Sequence, residues 1–114
     1  MPKVREIPEF NKCVGKLKKF RNIDKDIITF KQALKGYFPE QIPRTEIIPG
    51  FGKDYCPVYK VKKFFSTDLK SNVKMRVIYI YDPYEDEIIL IEIYFKGQRE
   101  EHNKELIKKY LVKK

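Results

Sequence analysis

The chain has 114 residues, 42% of them hydrophobic, and carries 25 Lys+Arg against 16 Asp+Glu for a formal net charge of +9. That length fits one domain around one core, and the charge favours nucleic acid or another anionic partner through counterion release and long-range steering. Cys13, Cys56 and a lone histidine exclude a zinc site at any usual spacing. No apolar run reaches membrane-spanning length, and Met1-Pro2-Lys3-Val4-Arg5-Glu6 lacks a signal-peptide apolar core, so a cytoplasmic protein with free thiols is expected.

Lys3 to Ile7 reads as a short strand stopped by Pro8. Phe10, Cys13, Val14, Leu17 and Phe20 then recur at helical spacing, with Lys12, Lys16, Lys18 and Lys19 on the wet side. After the tight turn Arg21-Asn22-Ile23, Asp24 is a good N-cap. Ile23, Ile27, Phe30 and Leu34 follow with helical period, and Gly36 suits the C′ position. Two helices so closely joined predict an antiparallel αα-hairpin.

The stretch 37–57 carries four prolines and two glycines and reads as a connecting loop, with an extended piece at Glu46 to Ile48. Val58 to Phe65, Met75 to Tyr81 and Glu87 to Lys96 read as strands. The turn Asp82-Pro83-Tyr84-Glu85-Asp86 joins the last two. The third strand is nearly continuous in apolar residues, which predicts a central position. Strict alternation puts Ile89, Ile91, Ile93 and Phe95 on one side, and Glu92, Tyr94 and Lys96 with Ile88 and Leu90 on the other. Leu106, Ile107, Tyr110 and Leu111 suggest a final helix. The expected fold is α+β, with the helical hairpin on one sheet face and a basic, tyrosine-bearing concavity on the other.

Three cations dominate that second face. Lys60 and Lys62 share a side by the two-residue period, and Arg76 opens the neighbouring strand. With no carboxylate adjacent in the sequence they repel one another, and a rigid sheet that keeps them together points to an anion such as a phosphodiester. Against this stands the plainer reading of a solvated edge that blocks aggregation. Glu85, Asp86 and Glu87 are consecutive and cannot converge on one ion, so no metal is expected. Gly50-Phe51-Gly52-Lys53 is too short for a phosphate loop, and no cofactor is expected.

Val58-Tyr59-Lys60-Val61-Lys62, Arg76-Val77-Ile78-Tyr79, Ile91-Glu92-Ile93-Tyr94-Phe95-Lys96 and Glu105-Leu106-Ile107, preceded by a lysine-rich helical hairpin with Leu34-Lys35-Gly36, together resemble the RelE/ParE toxin superfamily. The resemblance spans most of the chain. It implies a small antiparallel sheet with an N-terminal αα-hairpin on one face and a C-terminal helix. It also implies a type II toxin, neutralised by a small acidic antitoxin. In the RelE branch the activity is ribosome-dependent mRNA cleavage, whereas in the ParE branch the target is DNA gyrase. Lys60, Lys62 and Arg76 match the family's basic residues. Its later arginine falls near Gly97, flanked by Lys96 and Arg99. Its terminal-helix tyrosine falls near Asn103, beside His102. The segment Ser66 to Lys74 exceeds the usual tight hairpin turn.

Metal-independent RNA cleavage needs a base for the 2′-OH, cations for the crowded phosphate and an acid for the leaving 5′ oxygen. The resemblance assigns base and phosphate binding to Lys60 and Lys62, transition-state stabilisation to Arg76, and assistance to Lys96 or His102. Lys63, Tyr94 and Arg99 are the expected nucleic-acid contacts, with mRNA and the ribosome as partners. The rivals are a non-enzymatic toxin-fold protein that binds a protein target and a general basic nucleic-acid-binding module.

Overall fold

The computed structural model describes residues 3–17, 23–37, 45–64, 75–95 and 102–114, with only the backbone of residues 37, 62–64 and 95. In chain order the elements are β1 (Lys3–Glu6), α1 (Pro8–Lys16), α2 (Ile23–Tyr37), β2 (Thr45–Ile47), β3 (Val58–Phe64), β4 (Met75–Asp82), β5 (Glu87–Phe95) and α3 (Lys104–Tyr110). The strands form one five-stranded sheet in the order β1-β5-β4-β3-β2. The sheet is mixed rather than purely antiparallel, because β1 pairs parallel with β5 from Lys3↔Glu87 to Glu6↔Leu90. A parallel neighbour needs a long crossover, and here the chain passes through both helices before reaching β5. The expected extended piece in the connecting loop is β2, paired antiparallel with β3.

Pro8 both ends β1 and starts α1. It occupies the first helical turn, where its missing N–H costs nothing. Asp24 lies inside the first turn of α2 rather than capping it, where its charge still complements the helix dipole. Gly36 also lies inside α2, which runs on to Tyr37, two residues before Pro39 in the sequence. Phe20, Lys18, Lys19, Phe65 and the segment Ser66 to Lys74 lie outside the described residues.

β4 and β5 form the centre of the core. Val77, Ile78, Tyr79 and Ile80 are fully buried, as are Ile88, Leu90 and Ile91, so both sheet faces are covered. Alternation along β5 fails at Ile91. Ile78 pairs with Glu92 but Tyr79 pairs with Leu90, so one extra residue sits on β5. That bulge moves Ile89 to the Glu92 side of the sheet, opposite Ile80, and Leu90 to the Tyr79 side.

The helices sort onto these two sides through specific bonds. Lys31 of α2 forms an ion pair with Glu6, which shares a side with Leu90 and Tyr79. The Asn103 N–H, at the start of α3, donates to Glu92 Oε1 at 3.0 Å on the other side. α1 takes over where β1 stops and packs along β5. Among the described residues no helix is long and apolar enough to cross a membrane.

A polar clasp joins α3 to α1. Glu9 accepts from the Tyr110 hydroxyl at 2.6 Å and from Lys109 Nζ at 3.0 Å. The Tyr110 hydroxyl foremost, then Lys109, pulls the Glu9 carboxyl from an ordinary 4.5 down to about 2. A depressed carboxylate contributes stability that is complete above its unfolded pKa and is lost as pH falls through the folded one. The clasp therefore weakens between 4.5 and about 2. Acid titration of thermal stability should show wild type and Glu9→Gln separated by a constant gap at neutral pH that closes by the lower limit of this window. A gap unchanged across the window would contradict the clasp.

Candidate functional site

The site begins with sheet register. Lys60 on β3 stands opposite Glu46 on β2 and Ile78 on β4, and Ile78 stands opposite Glu92 on β5. These four residues form one row across one side of the sheet. Arg76 lies two residues from Ile78 along β4 and pairs with Tyr94, which puts Arg76 and Tyr94 in the next row on the same side. Lys60 and Arg76 are half-buried there. As diagonal neighbours their Cβ atoms lie about 7–8 Å apart, within reach of one phosphate for such long side chains. Tyr59 points the other way, as its alternation requires, and stacks on Tyr79 with ring centroids 5.2 Å apart. Burial in that stack pushes the Tyr79 phenol up, first by desolvation and then through Tyr59.

A second bulge shapes the cation-rich end. Val61 pairs with Val77 and Phe64 with Met75, so β3 advances three residues while β4 advances two. The extra residue falls at Lys62-Lys63, opposite Arg76. The expectation that Lys62 shares a side with Lys60 rested on unbroken alternation, and alternation stops at Val61. What the backbone brings together is Lys60, Lys62, Lys63 and Arg76 along one short stretch of two paired strands. The side chains of Lys62 and Lys63 are outside the described residues, as are Lys96 and Arg99 altogether.

The cations are not isolated from acids. Glu46 is the direct cross-strand partner of Lys60, about 5 Å away at Cβ and so nearer than Arg76. Across a sheet, opposite charges in direct register attract and diagonal like charges repel more weakly, so the nearer acid prevails at Lys60. Sequence reasoning missed this pair because the loop before β3 hides which residues fold back beside it.

Glu92 was also missed as a site residue. It is 1% exposed on the cation side of the sheet, and it holds the start of α3 through the Asn103 N–H. Its sequence signal is a single ionisable residue inside the apolar run Ile88-Ile89-Leu90-Ile91-Glu92-Ile93-Tyr94. Buried carboxylates need hydrogen-bond partners, so such a residue marks an anchoring point.

His102 is expected in the first turn of a solvated helix. It instead precedes Asn103, whose Oδ1 caps α3 by accepting from the Leu106 N–H at 3.1 Å. His102 is half-buried, with both ring nitrogens shielded from solvent, and its chain position next to Asn103 brings it to the Glu92 side of the sheet. Tyr94 is on the same side but only 4% exposed, so its ring offers no open surface for stacking a base. Ile78 and Ile80 on this face are fully buried, and Lys60 and Arg76 stand at its β3–β4 end. No family model matches the chain, and no curated protein matches it.

Proposed function

We propose that this protein is a toxin of the RelE type, whose cationic sheet face holds single-stranded RNA and cleaves it through the 2′-OH. The observation that carries the proposal is the placement of Lys60 and Arg76, both half-buried, on one side of β3 and β4, with the Lys62-Lys63 bulge opposite Arg76. Bulges concentrate at sheet rims and next to active sites, where they re-aim side chains. The Arg76 guanidinium is suited to gripping two phosphate oxygens at once.

In the proposed reaction the 2′ oxygen attacks phosphorus and its proton passes to a lysine amine. The P–O5′ bond breaks, and the 5′ oxygen takes a proton from His102 or Lys96. The products are a 2′,3′-cyclic phosphate and a 5′-hydroxyl. Lys60 and Arg76 offset the charge that builds on the phosphate. An acidic antitoxin and the ribosome are the proposed partners.

Primer extension on mRNA translated in the presence of the protein tests this reading. Position-specific breaks are expected, and an intact message in the presence of growth inhibition would overturn it. Glu46 beside Lys60 and buried Glu92 on the same side favour a second reading, a non-enzymatic toxin fold that binds a protein target. Acids this close reduce the field available to a polyanion. Only the nuclease produces breaks.

A further inference from the structure

β2 ends the sheet on the β3 side and is three residues long. It is held by its register with β3, from Thr45↔Val61 to Ile47↔Tyr59, and by the Ile48 N–H just beyond it, which donates to the Val58 carbonyl at 2.8 Å. Its own side chains anchor it poorly. Of residues 45–48 only Ile48 is buried, and Ile47 is 60% exposed. Thr45 stands in a row with the buried Val61, Val77 and Ile93. Its hydroxyl oxygen is shielded from water there and has no hydrogen-bond partner among the described residues. A buried hydroxyl without a partner weakens the element that carries it. Edge segments with few buried apolar contacts are the parts of a fold that open first. Glu46 alternates onto the other side of the sheet, in direct register with Lys60.

We propose that β2 is an autoinhibitory strand. Docked, it sets the Glu46 carboxylate against Lys60 and lowers the pull of the Lys60 face on single-stranded RNA; undocked, it restores that pull. The proposal rests on the reading of this face as an RNA site and names how the site is restrained. A carboxylate in direct cross-strand register attracts the lysine and repels a phosphate brought to the same place. The form with β2 released then binds RNA more tightly, and the apparent affinity is reduced by the small fraction of molecules in that form. Release of residues 45–47 pivots on buried Ile48 and leaves the rest of the site in position. Lys60 and Arg76 stay on β3 and β4, whose pairing runs from Val58↔Ile80 to Phe64↔Met75, and β4 stays paired with β5 in the buried centre of the sheet.

Two substitutions in β2 should shift the affinity of the whole chain for oligouridylate in opposite directions. Glu46→Gln removes the charge, keeps the strand and should tighten binding by about threefold or more. Thr45→Val replaces the unpartnered hydroxyl with a methyl of similar size, holds β2 down and should weaken binding by about threefold or more. Slower hydrogen exchange of the β2 amides in Thr45→Val reports the tighter strand without reference to RNA. Glu85→Gln makes the same charge change on the exposed β4–β5 turn and should act less than Glu46→Gln. The gain from Glu46→Gln should vanish when Lys60 is alanine. Equal gains from Glu46→Gln and Glu85→Gln, or a gain that survives Lys60→Ala, overturns the proposal. So does unslowed exchange in Thr45→Val, or slowed exchange with wild-type affinity. Oligouridylate bound by neither wild type nor Glu46→Gln overturns both this proposal and the RNA reading. The stated shifts in binding beside an intact message in primer extension overturn the nuclease reading alone.

Discussion

Under the proposed nuclease reading, alanine at both Lys60 and Lys62 is expected to erase position-specific mRNA breaks and growth inhibition together. Removing one preorganised donor to a developing oxyanion lowers the rate by about 10²–10³, so losing two cations from one phosphate site should lower cleavage by at least about 10³. Stability should hardly change. Lys60 is half-buried on β3, outside the buried centre of β4 and β5, and substitutions away from a core usually stay within about 0.5 kcal/mol. Primer extension gives the first readout and a thermal melt the second. A folded double variant that still cuts mRNA would remove both lysines from the mechanism.

Glu92→Ala should act in the opposite way, on the fold before the chemistry. The substitution removes the buried carboxylate that accepts from the Asn103 N–H at 3.0 Å and opens a void under the start of α3. A hydrogen bond to a charged group is worth about 1.5–3 kcal/mol, and the void adds to its loss, for a total of about 2–4 kcal/mol. For a domain of this size that corresponds to a fall in Tm of roughly 10–20 °C. Glu92→Gln keeps a carbonyl acceptor in the same place and should cost about 1 kcal/mol. α3 has seven residues and cannot persist as an isolated helix, so its docking depends on this anchor, the Glu9 clasp and buried Ile107. Equal melting temperatures for the alanine and glutamine variants would show that the carboxylate does not anchor the helix.

The order of elements was legible because each carries its own signal: a 3.6 period through Phe10, Val14 and Leu17, and runs of β-branched and aromatic residues through β4 and β5. The side of Tyr59 opposite Lys60 follows from the two-residue period of strand geometry. Three things were not legible. Bulges leave no compositional mark, so the breaks in register at Lys62-Lys63 and Ile91 defeated strict alternation and put Ile89 on the wrong side. The parallel pairing of β1 with β5 depends on long-range topology that no local window contains. The acids near the cations were legible only in part, Glu92 being a candidate partner of Arg76 across the sheet. Glu46 reaches Lys60 only after the proline-rich loop folds back, and Glu92 was assigned to a face without any sign that α3 would cover it. Tyr94 was misjudged for the same reason, since a strand tyrosine reads as a stacking platform until a helix is laid beside it.

The proposed chemistry requires cations of β3 and β4 to touch the RNA backbone, and the salt dependence of single-stranded RNA affinity measures that contact most directly. Each phosphate contact contributes about 0.7 to the slope of log affinity against log salt for a single strand. Lys60→Ala and Arg76→Ala should each flatten the slope by about that amount and weaken binding evenly across sequences. Slopes identical to wild type in both folded variants would mean that neither side chain meets a phosphate.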